Sequence, residues 1–206
     1  MIRVLAVTPA PTAARLALVL LTTLATIGCR SSHDMTEPTD AAADATTTAD
    51  AAAADAPPPA IAAWMERLTV RHHYDPATGF IVADETVPLP PVISRAPDAR
   101  TLVDFGRRNR VPVVVFATAD RCAPCQQFKR DALNNQRVMI LLESGGIFAT
   151  HLEVDRDAEM ARELMGSTAI PTTWLFRDGQ VVDRLAGQRS AAELVAWLEK
   201  AARPAG

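Results

Sequence analysis

An uncharged run, Val111-Pro112-Val113-Val114-Val115-Phe116, leads within a few residues into Cys122-Ala123-Pro124-Cys125. That succession constrains the fold more than any other feature of the chain. A short, continuous apolar run suits a central strand covered on both faces, with Pro112 at its edge. After Cys122 the apolar spacing turns helical and continues through Phe128 and Leu133. A strand buried on both faces needs layers above and below it, which predicts an α/β domain.

The rest of the C-terminal half supplies those layers. A helix is predicted from Asp98 to Arg108, ahead of the strand. Arg137 to Glu143 reads as another short helix, closed by Gly145-Gly146. Ile147 to Val154 is the next strand, and Asp157 to Met165 is helical. Thr172 to Phe176 is β-branched and aromatic, as strands prefer. Asp178-Gly179 signals a hairpin, and Val181 to Leu185 pairs back. Ser190-Ala191-Ala192-Glu193 is a capping box opening a last helix, with Leu194, Val195, Trp197 and Leu198 on its apolar side. The predicted order is β-α-β-α-β-β-α, parallel strands first and a hairpin last.

The two cysteines carry chemistry because of where they sit. A thiol at a helix N-terminus faces unpaired backbone N–H groups and the positive end of the helix dipole. Both favour the thiolate, which marks Cys122 as the nucleophile, and the cation of Arg121 acts in the same direction. Two intervening residues let the second sulfur meet the first within one turn, so Cys125 resolves a mixed disulfide formed on Cys122. Pro124 loses nothing in a first turn, where its missing N–H has no partner. Two other readings of the pair stand beside this one. Half a zinc site lacks its other half, since there is no second C-x-x-C and the four histidines stand singly or adjacent. A permanent structural cross-link over so short a loop gains little chain entropy.

The N-terminal half has a different character. Arg3 and Arg15 precede an apolar stretch from Leu16 to Ile27, and no acid occurs before Asp34. A basic start, a short apolar core and small residues before a cut describe a secretory signal peptide over residues 1–28. Thr26-Ile27-Gly28-Cys29 resembles the lipobox of bacterial lipoproteins, with Thr26 where Leu is preferred. Lipidation at Cys29 is expected, and a diacylated cysteine is sufficient for stable anchoring. Residues 29–60 carry this cysteine and a linker almost wholly of Ala, Asp, Thr and Pro, with too little apolar surface to offset its ordering entropy. As a flexible coil it reaches roughly 30 Å. Residues 61–97 read as an extension laid across the main domain, which spans 98–203. Within it Ile61, Trp64, Met65 and Leu68 share one helical face, and Phe80-Ile81-Val82 suits a strand. His72 and His73 are neighbours whose side chains point to opposite faces, which disfavours joint metal ligation.

The segment FATADRCAPCQQFK, followed by VDRDAEMARELMGSTAIPTTWLFRDGQVVDRLAG, resembles the thioredoxin family over about residues 98 to 203. The resemblance rests on the C-x-x-C, Ile170-Pro171-Thr172, the Asp178-Gly179 hairpin and Gly187. It implies a thioredoxin-like fold, a central mixed sheet flanked by helices. It also implies a cis bond at Pro171, whose loop with Ile170 binds an extended substrate strand, and a redox-active Cys122–Cys125 disulfide needing no other cofactor or metal. Arg121 stands where the family has Trp and joins the substrate-facing surface. Phe116 replaces a buried Asp that assists the resolving cysteine, and Gln126 replaces a common Lys. The Ala-Pro dipeptide is closer to reducing members than to strong oxidants. Lipid-anchored relatives imply an envelope reductase of protein disulfides on the extracytoplasmic (periplasmic) side, supplied by an upstream electron donor.

Two other functions remain open: a redox-inert or weakly active thioredoxin-like binding module on the membrane surface, and a metal-delivery or metal-sensing lipoprotein. Nucleic acid is a poor partner for this chain. Its formal net charge is −3, and its 21 basic residues are scattered among 24 acids without a basic block.

Overall fold

The computed structural model describes residues 55–144 and 146–203. The expected signal peptide, the expected lipidation site Cys29 and the expected linker as far as residue 54 lie outside the described residues. Among the described residues no helix is long and apolar enough to cross a membrane.

The chain begins with helix α1 (Pro59–Met65), then strands β1 (His72–Asp75) and β2 (Phe80–Ala83), and a short helix α2 (Pro91–Ser94). Helix α3 (Ala99–Asn109) follows, with Asp98 capping it by accepting from the Thr101 N–H at 2.9 Å. Strand β3 (Val113–Thr118) leads to helix α4 (Ala123–Phe128), which continues as a π-helical turn over Lys129–Leu133. Helix α5 (Gln136–Ser144), strand β4 (Phe148–Glu153) and helix α6 (Ala158–Met165) come next. The hairpin β5 (Thr172–Arg177) and β6 (Gln180–Ala186) precedes helix α7 (Ala191–Ala202).

Four strands form the main sheet in the order β4-β3-β5-β6. β3 runs parallel to β4, Phe116 opposite His151, and antiparallel to β5, Phe116 opposite Thr173. All six residues of β3 are buried, and their alternation builds two cores. Val114 and Phe116 face Phe128, Leu133, Val138, Leu194 and Leu198 on one side. Val113, Val115 and Ala117 face Leu102, Val103, Ala161 and Met165 on the other. From Val113 onward the apolar run is therefore a strand covered on both faces, as its composition predicts, whereas Val111 and Pro112 precede it and the strand extends to Thr118. The turn between β5 and β6 has Asp178 and Gly179 at φ 51° and 78°, the paired left-handed conformation that Asp-Gly favours. The Ser190–Glu193 capping box is present in full. The fold is thioredoxin-like: a central mixed sheet flanked by helices.

The region ahead of α3 differs from the sequence expectation in its details. Pro59 opens α1 instead of lying in a linker that runs to residue 60, because a first-turn proline has no amide that needs a partner. The helix stops at Met65, so Leu68 lies beyond it, and Trp64 remains 37% exposed instead of joining the apolar face. His72 and His73 are strand residues, paired with Ala83 and Val82 of β2. Leu68, Val70 and Ile81 pack with Ala123, the first residue of α4, which ties this region to the start of that helix.

Candidate active site

Strand β3 ends at Thr118, and four residues later Cys122 caps α4. The Cys125 N–H donates to Cys122 Sγ at 3.2 Å. The two sulfurs are joined in a disulfide, with Cα atoms 5.1 Å apart. Cys122 is half-buried and Cys125 is fully covered. The Ile170–Pro171 bond is cis, and the Pro171 carbonyl accepts from the Gly187 N–H at 2.8 Å. Ile170 and Cys122 line one groove of about 840 Å³.

Arg121 also lines that groove, and its charge is already engaged. Its Nε donates to Asp155 Oδ2 at 2.9 Å, and its guanidinium carbon lies 5.4 Å from the Phe80 ring centre. Asp155 therefore balances part of the cation that was expected to favour the Cys122 thiolate.

Two adjacent glutamines, unassigned from sequence, hold the N-terminal region against α4. Gln126 is fully buried; its Nε2 donates to the Asp120 carbonyl at 2.8 Å, and its Oε1 accepts from the Val87 N–H at 2.7 Å. Gln127 Oε1 accepts from the amides of Thr69 at 2.9 Å and Val70 at 3.2 Å. The Ala83 N–H donates to the Arg121 carbonyl at 2.8 Å, and Val82 makes a β-bridge with Cys122 itself. Gln127→Ala leaves two strand-entry amides without an acceptor. The expected cost is about 1–3 kcal/mol of unfolding free energy, read by denaturant titration against wild type. An unchanged midpoint and slope would show that water satisfies those amides.

A polar cluster lies at the same end of the sheet. Lys129 is 2% exposed, and its Nζ stands 2.9 Å from Asp120 Oδ1. That hydrogen bond holds the Asp120 carboxyl below its ordinary range. Glu153 Oε1 accepts from the Asp120 N–H at 2.9 Å, while its buried Oε2 has no hydrogen-bond partner among the described residues. Burial pushes the Glu153 carboxyl upward. His151 shares a 2.6 Å hydrogen bond with Thr118 Oγ1. Burial, with the nearby Lys129 charge, lowers its pKa to about 4, so the ring is neutral at pH 7. Sequence offered one signal for this cluster: Lys129 is one of only two lysines in the chain, placed in a helix that packs on the sheet.

Among the described residues no three His, Cys, Asp or Glu side chains gather to hold a metal ion. His72 and His73 turn apart, the first to the Val70 carbonyl at 2.6 Å and the second to Asp84 Oδ1 at 2.7 Å.

A mixed sheet delivering a C-x-x-C pair to the start of a helix, opposite a cis-proline loop, defines a thioredoxin-like thiol–disulfide module. The chain belongs to that family: the family model for the thioredoxin-like domain matches residues 100–202, half of its length. A thioredoxin of Aspergillus fumigatus is 29% identical over 100 residues, covering 48% of this chain and 87% of that protein. Among solved structures, a thioredoxin from Thermus thermophilus is 25% identical with a TM-score of 0.43, covering 50% of this chain and 82% of that one. The Fasciola hepatica thioredoxin is 24% identical with a TM-score of 0.40, covering 50% and 92%. Family and cysteine geometry together are those of a thiol–disulfide oxidoreductase.

Proposed function

We propose that the protein is a lipid-anchored thiol–disulfide oxidoreductase of a bacterial cell envelope, working as a reductase of protein disulfides. One observation carries the reading: Cys122 opens onto the groove, while Cys125 is covered behind it. In the reduced protein the Cys122 thiolate attacks one sulfur of a client disulfide. The client S–S bond breaks, a Cys122–client bond forms, and the departing client thiolate takes a proton. Cys125 then loses its proton and attacks the Cys122 sulfur, releasing the second client thiol and closing the Cys122–Cys125 disulfide. Two electrons pass to the client, and a dithiol donor restores the pair. The Ala123-Pro124 dipeptide supports the reducing direction, and the lipobox-like end of the signal peptide supports the anchor at Cys29.

The test uses the full chain in detergent, with dithiothreitol as donor and insulin as client. Insulin reduction faster than with dithiothreitol alone is expected, and an equal rate would leave a redox-inert binding module as the better reading. In cells, Cys29→Ala releases the protein in soluble form or leaves it unprocessed. Unchanged membrane association with unchanged electrophoretic mobility would remove the anchor from the proposal.

A further inference from the structure

The groove at Cys122 has two walls of different origin. One belongs to the thioredoxin-like domain and includes Asp155, Arg162 and Ile170. The other is built by the region ahead of α3, from Ile61 and Trp64 of α1 and from Phe80 and Ile81 of the β-hairpin. Trp64 and Phe80 are 37% and 56% exposed, and both are large apolar side chains in the concavity that holds the half-buried sulfur. Scattered exposed apolar residues need no explanation, but two aromatics lining the same groove as a reactive cysteine do.

This second wall is fixed in place. The Val82–Cys122 bridge, the Ala83–Arg121 hydrogen bond and the two glutamine clamps hold the β-hairpin and its flanks to the active-site turn and α4, and Ile61 of α1 packs on the cluster of Leu68, Val70, Ile81 and Ala123. Its position therefore does not need to be established at each encounter, and an occupant avoids that ordering cost. The electrostatics are uneven as well. Arg121 and Asp155 neutralise one another, whereas Arg162 forms no ion pair among the described residues.

We infer that Trp64 and Phe80 form a specificity wall that selects extended protein segments carrying a large apolar residue beside the target cysteine and an acidic residue within reach of Arg162. This rests on the disulfide-exchange reading above and adds the class of client. The apolar side chain is buried against the two aromatic rings while the client sulfur approaches Cys122, and the acid balances the unpaired guanidinium.

The experiment measures second-order rates of reduction by the full, pre-reduced chain on three probes. These are a peptide disulfide with Leu beside the cysteine and a nearby Asp, the same peptide with Gly and Lys at those places, and bis(2-hydroxyethyl) disulfide. For wild type the first probe is expected to react about tenfold faster than the second, a difference of about 1.4 kcal/mol. In Trp64→Ala and Phe80→Ala the ratio of the first rate to that of the small disulfide falls about tenfold. Phe80→Leu, which retains apolar bulk, restores most of it. Both side chains are substantially exposed, so neither variant threatens the core. Equal rates on both peptides, or a ratio unmoved by both variants, would overturn the specificity wall while leaving disulfide exchange intact. No reduction of any probe would instead overturn the oxidoreductase reading. A concentration-dependent dimer dispersed by Trp64→Ala would assign the groove to a second copy of the chain and overturn the client assignment.

Discussion

Cys122→Ser reduces disulfide exchange to the uncatalysed rate, and Cys125→Ser traps clients as mixed disulfides instead. The two outcomes differ because the sulfurs sit in different surroundings. Cys122 is half-buried and lines the groove, whereas Cys125 is fully covered in the first turn of α4. An incoming disulfide meets Cys122 first, and only the intramolecular step uses Cys125. A serine hydroxyl at either place removes the thiolate that its own step requires. In the reduced protein, iodoacetamide at neutral pH labels Cys122 ahead of Cys125. The measurement is mass spectrometry of the alkylated peptides, together with non-reducing gels of Cys125→Ser extracts. Labelling of Cys125 first, or mixed disulfides accumulating in Cys122→Ser, would reverse the assignment.

Acid weakens the fold through His151. The pKa of its imidazole is lowered from 6.5 to about 4 by burial, so the folded chain keeps the ring neutral where the unfolded chain protonates it. Its contribution to stability is full above pH 6.5 and is lost as pH falls toward 4. One pKa unit corresponds to about 1.4 kcal/mol, so the loss attributable to this residue is about 3 kcal/mol. Glu153 acts in the opposite sense. Its carboxyl is pushed up by burial, so the folded chain gains a proton before the unfolded one as pH falls, and part of the loss is offset. Urea titrations at pH 7, 5.5 and 4 measure the balance. His151→Gln, which retains a polar group for Thr118, flattens the pH dependence relative to wild type. Identical slopes in the two proteins would assign the acid sensitivity to other groups.

Much of the domain was legible in the sequence because its local signals agree with its global arrangement. The Val113–Val115 run, the Asp178-Gly179 turn and the Ser190–Glu193 box each specify one local conformation, and all three occur as expected. The position of Cys122 at a helix start was readable for the same reason. The second wall of the groove was not. His72–Asp75 has no apolar alternation, since β1 owes its existence to pairing with β2 rather than to a buried face of its own. Gln126 and Gln127 look like ordinary helix residues, and their role appears only when the amides of Val87, Thr69 and Val70 arrive from distant positions. Lys129 and Glu153 would be surface residues by composition. They are buried because Asp120 offers both a carboxylate and an amide where the chain turns toward Cys122.

The glutamine clamps also separate the unit of descent from the unit of folding. The family match starts at residue 100, but the acceptors on Gln126 and Gln127 are satisfied by Val87, Thr69 and Val70, all located upstream of it. A fragment trimmed to the ancestral outline would expose Ala123 to solvent and lose the aromatic bank of the groove, although both cysteines would remain. Such a fragment is expected to be less stable than its parent, so borders drawn by kinship alone would omit one bank of the groove.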